Sequence, residues 1–217
     1  MATLTEELWL HPHVYMARCG PDIVVLDVRA DEYALLVDVV DLIRPGRSPG
    51  LVLTDPEVRA DLEALDLVAA EAPPSGRAAL PDRNGEIAWT ARPVSSPALA
   101  AAAWNGAMST AAFRGKSLAA LVALASRPRR APTADDHRAS RAVGAFQSVL
   151  PWLPFEGDCL QRGFMLHFHL RRNGVDARWV FGVRTWPFLA HCWVQVGDRI
   201  VGDTLERTGG FTPIMVV

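Results

Sequence analysis

The stretch between residues 175 and 203 constrains this chain most. Ala177, Trp179 and Phe181 alternate with Arg178 and Val180, which predicts a strand over 175–184. Two further apolar runs, 190–196 and 199–202, flank Gly197-Asp198, a dipeptide suited to a tight hairpin turn. His191 enters that hairpin and Asp203 leaves it. Upstream, Asp158 to Gln161 has the spacing of a capping box with aspartate at the cap. The helix it opens is predicted to run to Arg172 and to stop at Asn173-Gly174. Cys159 then occupies the first helical position, where free N–H groups and the helix dipole favour a thiolate. A small apolar filler is the competing reading of any buried cysteine, and helix position alone leaves the two even. A thiol on a helix, followed by a histidine and a carboxylate on strands, is the material of a nucleophile, its base and an orienting group.

Strand register tests that reading. With Gly197-Asp198 as a two-residue turn, Val196 faces Arg199 and Cys192, not His191, stands opposite Asp203. A triad therefore requires a longer loop, a bulge, or Asp203 lying just beyond the paired strand.

Residues 14–20 and 23–29 are predicted to form a hairpin around Gly20-Pro21-Asp22. Tyr33 to Leu36 continues as a third strand or begins a helix, and over 35–43 periodicity leaves helix against strand open, with helix preferred. Asp55 or Thr54 can cap a helix with Pro56 at its first position. The first 70 or so residues thus read as a hairpin plus two or three short helices. Turn residues at 72–76 and 80–85 mark a linker. Ser96-Pro97 opens an Ala-rich helix expected to reach about Ala125, with Gly106 and Gly115 as weak points. Arg127, Arg129 and Arg130 fall in a loop read as solvated, and Thr133 is expected to cap the next helix, whose apolar stripe is Ala139, Val143, Phe146 and Leu150.

Composition excludes more than it assigns. The formal net charge is -2 and no Lys/Arg block stands out, which argues against a nucleic-acid surface. The first ten residues lack the basic and apolar regions of a signal peptide, and the long uncharged run after Arg92 is interrupted by prolines and polar residues, so neither export nor a membrane span is expected. Three widely spaced cysteines make no disulfide framework. A cytoplasmic protein with reduced thiols is the expectation. His167 and His169 lie about 200° apart on a helix, so joint metal ligation is not expected. His11 and His13 are read as surface residues, Cys19 as unactivated, and Cys192 as a poor rival nucleophile on an interior strand. No Gly-rich phosphate loop is present, and no cofactor or metal is expected.

Two resemblances add to this. Cys159-Leu160, Gly182-Val183, Ala190-His191-Cys192-Trp193-Val194-Gln195-Val196 and Asp203 resemble the line "Cys-Leu … Gly-Val … His-Ala-Trp-Val-Glu-Val … Asp" of the leader peptidase, or B protein, of lasso-peptide biosynthesis, within the transglutaminase-like superfamily. Cys192 replaces the usual alanine and Gln195 the usual glutamate, and the resemblance covers roughly 135–217. Residues 24–35, from Val24 through Tyr33 to Leu35, resemble the small winged-helix peptide-recognition domain of ribosomal-peptide biosynthesis proteins. Length and order look like the form in which recognition and peptidase parts are fused.

The resemblance implies an α+β architecture with two domains. Residues 1–80 would be a winged-helix-like leader-recognition module; residues 81–217, with a helical middle, would end in a papain/transglutaminase-like helix plus antiparallel sheet. It implies a cysteine peptidase with Cys159 as nucleophile, His191 as base and Asp203 as orienter, removing the leader of a lasso-peptide precursor through a thioester. Val25, Tyr33 and Leu36 would bind the leader, with Trp193 as a cleft wall. Implied partners are the precursor peptide and an asparagine-synthetase-like cyclase. Two other classes stay open: a thioester acyl transferase of the transglutaminase or arylamine-acetyltransferase type, and a non-catalytic peptide-binding scaffold.

Overall fold

The computed structural model describes residues 7–45, 50–73, 77–88, 94–128, 135–153 and 158–217. Thr133, Arg129, Arg130 and the loop at 154–157 lie outside them. The chain divides into two compact units, Met1–Ala79 with Thr185–Phe188, and Leu80–Arg184 with Leu189–Val217. The described residues form a mixed α+β structure with six α-helices and three sheets.

The first unit contains β1 (Glu7–Leu10), β2 (Val14–Cys19), β3 (Asp22–Asp27), β4 (Glu32–Leu36), β5 (Ile43–Pro45), β6 (Gly50–Leu53), α1 (Pro56–Ala64) and β7 (Val68–Ala69). β2, β3 and β4 make an antiparallel meander, and β5-β6-β1-β7 a second antiparallel sheet. Both contribute to one apolar core that includes Leu8, Val14, Ile23, Val25, Ile43 and Leu62. Asp55 caps α1 by accepting from the Glu57 N–H, with Pro56 in the first turn, where no N–H is needed.

The helix expected over 35–43 does not form. The chain leaves β4 through Asp38 in a left-handed conformation (φ 56°). Its backbone then finds partners distant in sequence. Asp22 Oδ1 accepts from the Asp38 N–H at 3.0 Å, and Arg18 donates to the carbonyls of Val40 and Ile43 at 2.8 and 2.6 Å. These bonds satisfy groups that a helix would have paired internally. The expected hairpin with two or three helices is therefore two sheets and one helix among the described residues.

The second unit runs through β8 (Gly85–Ile87), α2 (Ser96–Phe113), α3 (Leu118–Ala125), α4 (Asp136–Val149), a 3₁₀ turn at Leu150–Trp152, α5 (Cys159–Arg172), β9 (Ala177–Arg184), β10 (Leu189–Val196), β11 (Arg199–Val201), α6 (Leu205–Gly209) and β12 (Thr212–Val216). Its sheet has the order β12-β9-β10-β11-β8, antiparallel except for β11 with β8. α5 packs on β9 and β10, and α2 and α4 pack on α5. The helix expected to reach Ala125 ends at Phe113, and Ser117 starts α3 by accepting from the Ala120 N–H. Gly106, expected as a weak point, is buried mid-helix because Leu153 fills the space a Cβ would need.

The expected linker at 80–85 is docked on the sheet. The Asp82 carbonyl accepts from Gln195 Nε2 at 2.8 Å, and the Asn84 N–H donates to the Asp198 carbonyl at 2.9 Å. Among the described residues no helix is long and apolar enough to cross a membrane.

Candidate active site

The β10–β11 hairpin has the simple two-residue turn, and its ladder pairs Val196 with Arg199, Gln195 with Ile200 and Val194 with Val201. It ends there. Gly202 has φ +72°, a conformation that glycine adopts without strain, and a Cβ at that position would come within 2.7 Å of Leu166. This bend takes Asp203 out of the ladder that would have set it opposite Cys192. Its Oδ2 lies 2.7 Å from His191 Nε2, while Oδ1 accepts the Thr204 N–H at 2.9 Å. Asp203 thus lies just beyond the paired strand, one of the three expected arrangements, and there it reaches His191.

His191 is 8% exposed, with its ring between those of Phe211 (centroids 5.3 Å apart) and Trp193 (6.2 Å). Nε2 is taken by Asp203, and the Cys159 thiol and the imidazole shift one another's titration. Cys159 is half-buried at the head of α5, where Asp158 caps the helix by accepting from the Leu160 N–H at 2.9 Å. The S–H of Cys192 donates to the Cys159 carbonyl oxygen at 3.2 Å.

Electrostatics follow from these contacts. Hydrogen bonds from Cys192 and then His191 outweigh burial and bring the Cys159 thiol down to about 3. The Asp203 bond, followed by that to Cys159, lifts His191 to about 9 against desolvation. Burial works to raise Asp203, but the bonds from His191 and the Thr204 N–H hold its carboxyl below the usual range. Burial drives the Cys192 thiol well up. Both shifts run towards a thiolate and an imidazolium, the charge state a cysteine nucleophile needs.

A cavity of ≈ 120 Å³ opens over the site, lined among others by Cys159, Arg162, His191, Asp203 and Arg207. Sequence reasoning missed both arginines and Phe211. Arg162 carried a signal: it stands three residues after Cys159, on the same helix face, and its guanidinium reaches the Gly202 carbonyl at 3.3 Å. Phe211 carried none, since its position depends on β12 returning beside β9.

Of the remaining candidates, Trp193 belongs to this centre and the others fall apart from it. Trp193 lines the cavity, but it is buried, and its indole N–H donates to Gln195 Oε1 at 2.8 Å. Val25 points into the core of the first unit, so its side chain is not presented to a ligand. Leu36 is half-buried against the same core, and Tyr33, also on β4, has its ring 5.5 Å from that of Phe188 within the first unit. His167 and His169 are core residues bonded to the carbonyls of Ala177 and Ala142, both at 3.1 Å. His11 and His13 are not plain surface residues: they are half-buried and stacked, with Asp66 3.3 Å from the first and Asp27 3.8 Å from the second. Among the described residues no group of His, Cys, Asp and Glu is placed to hold a metal ion.

The transglutaminase-like superfamily profile matches residues 102–216, from α2 through β12. The chain belongs to the transglutaminase-like superfamily. It is also similar to the microcin J25-processing protein McjB of Escherichia coli, 32% identical over 69 residues, or 32% of this chain. That match spans a third of the McjB chain (33%). No solved structure matches.

Proposed function

We propose that this protein is a cysteine peptidase that removes the leader from a ribosomally made lasso-peptide precursor. The observation that carries the reading is the 2.7 Å bond between His191 Nε2 and Asp203 Oδ2, in a cavity that Cys159 also lines. Superfamily membership and the similarity to a microcin-processing protein support it.

In this mechanism the Cys159 thiolate attacks the carbonyl carbon of the bond joining leader to core. The Cys159 backbone N–H, at the head of α5, is the first oxyanion donor. His191 gives its proton to the leaving amine, which becomes the N-terminus of the core, and the leader remains on Cys159 as a thioester. His191 then takes a proton from water, and the resulting hydroxide releases the leader. Asp203 holds the ring and stabilises its charged form.

Trp193 serves as a wall of the cleft. The leader is bound by residues 1–80, adding as a strand beside β4, at the edge of its meander, with Tyr33 and Leu36 supplying side-chain contacts. An asparagine-synthetase-like cyclase consumes the released core. The reaction needs no cofactor and runs in the cytoplasm.

A second reading keeps the thioester but passes the acyl group to an amine, and the superfamily itself favours testing it. A leader-bearing precursor is incubated with the protein alone, and then with an added primary amine. Free leader acid in both supports the peptidase; a leader–amine adduct formed at the expense of acid supports the transferase. Intact precursor in both, together with leader binding, leaves a scaffold.

A further inference from the structure

Cys192 lies against the backbone of Cys159. Its sulfur lies 3.2 Å from the Cys159 carbonyl oxygen, and both cysteines line the same cavity. Gly163 makes room for this: a Cβ there would come within 3.2 Å of Cys192 Sγ and 2.5 Å of Trp179 Nε1. The thiols differ in access. Cys159 is half-buried, whereas Cys192 is 5% exposed.

We propose that Cys159 and Cys192 close a reversible disulfide when the protein meets a hydroperoxide, with Cys159 as the sulfur oxidised and Cys192 as the one that resolves it. The inference rests on the thiol pair and does not depend on the peptidase reading.

In the first step the Cys159 thiolate attacks the terminal peroxide oxygen. An S–O bond forms, the O–O bond breaks, and the leaving oxygen takes the His191 proton. With hydrogen peroxide the products are a sulfenic acid and water. In the second step the Cys192 sulfur attacks the Cys159 sulfur. The S–S bond forms, the S–O bond breaks, and the departing hydroxide takes the Cys192 proton as a second water. Two thiols lose two electrons and the peroxide gains them.

Cys192 is the right partner for the second step only after the first has happened. Besides burial, the negative charge on Cys159 opposes its ionisation, and that charge is gone once Cys159 is a neutral sulfenic acid. Movement of the two sulfurs to bonding distance, about 2.05 Å, then closes the bridge inside the cavity and removes Cys159 from further oxidation. A low-molecular-weight thiol attacking the half-buried Cys159 sulfur reopens it.

The test treats the full chain with hydrogen peroxide, blocks remaining thiols with an alkylating agent, and reads intact mass and a peptide map. The wild type is expected to lose two hydrogens, to give a Cys159–Cys192 cross-linked peptide, and to regain both thiols with dithiothreitol. Cys192→Ala and Cys192→Ser are expected to carry two or three extra oxygens on Cys159 that dithiothreitol does not remove. Wild-type protein oxidised on Cys159 in the same irreversible way would overturn the proposal, as would a link from Cys159 to Cys19 or two thiols that remain alkylatable. The wild-type map decides even if neither variant folds. Because the readout is mass, a chain that cleaves no precursor still passes or fails it.

Discussion

The β10–β11 hairpin and the β4 edge set contrasting demands on a chain. At the hairpin and the head of α5, His191, Asp203 and Cys159 are wholly or partly withdrawn from water, and His191 and Asp203 are bonded to each other. β4 has a strand neighbour on one side among the described residues, and its side chains alternate between exposed and half-buried. Removing a partner at the hairpin leaves a buried charge uncompensated, which is costly. Changing a side chain on β4 removes surface contact and leaves the ladder intact. On the proposed function, the difference separates a place held for chemistry from an adaptable place for recognition.

The sharpest way to break that contrast is at His191. His191→Ala should lower cleavage of a leader-bearing precursor by on the order of 10⁴-fold while leaving leader affinity within a factor of two or so. A loss of affinity to match would merge the two regions into one site. Asp203→Asn comes next, with a loss of about 10² to 10⁴-fold in kcat, because the ring loses the group that fixes its tautomer. The same substitution should lower the pH at which activity falls on the alkaline side, since Asp203 is the largest cause of the raised His191 value.

The pH dependence has a definite sign. Cys159 is thiolate above about 3 and His191 keeps its proton up to about 9. Cleavage should therefore rise as pH passes upward through the first value and fall as it passes the second. Alkylation of Cys159 by iodoacetamide at pH 5.5 should run close to its maximal rate, where an ordinary thiol would be only about a thousandth ionised. Slow alkylation that climbs only above pH 8 would remove the ion pair from the account. The smallest effect belongs to β4: Tyr33→Ala should weaken leader binding about tenfold, measured by fluorescence anisotropy of a labelled leader, with kcat at saturating precursor unchanged.

Much of the second unit was legible because its signals are local. Asp158 at a cap position, alternation through Trp179 and Phe181, and Gly197-Asp198 between two apolar runs each act within a few residues. The same locality explains the misreadings. The 35–43 segment has β-branched residues that fit more than one structure, and what decides it are Arg18 and Asp22, some twenty residues away. Residues 80–85 carry turn composition, yet Gln195 ties them to the sheet. Asp203 could be placed relative to His191 only as one of three arrangements, because the deciding feature is a single backbone angle at Gly202. Arg207 at the cavity and Phe211 beside His191 depend on packing between distant elements, and a single sequence holds little trace of that.

The central claim is that Cys159 carries the acyl group. The direct measurement is an acid-quenched mixture of the protein with a leader-bearing precursor, analysed by peptide mapping at early times. The account predicts leader attached as a thioester to the Cys159 peptide in the wild type, and neither adduct nor cleavage in Cys159→Ala. Cleavage that persists in Cys159→Ala, or an adduct carried by Cys192 instead, would contradict it.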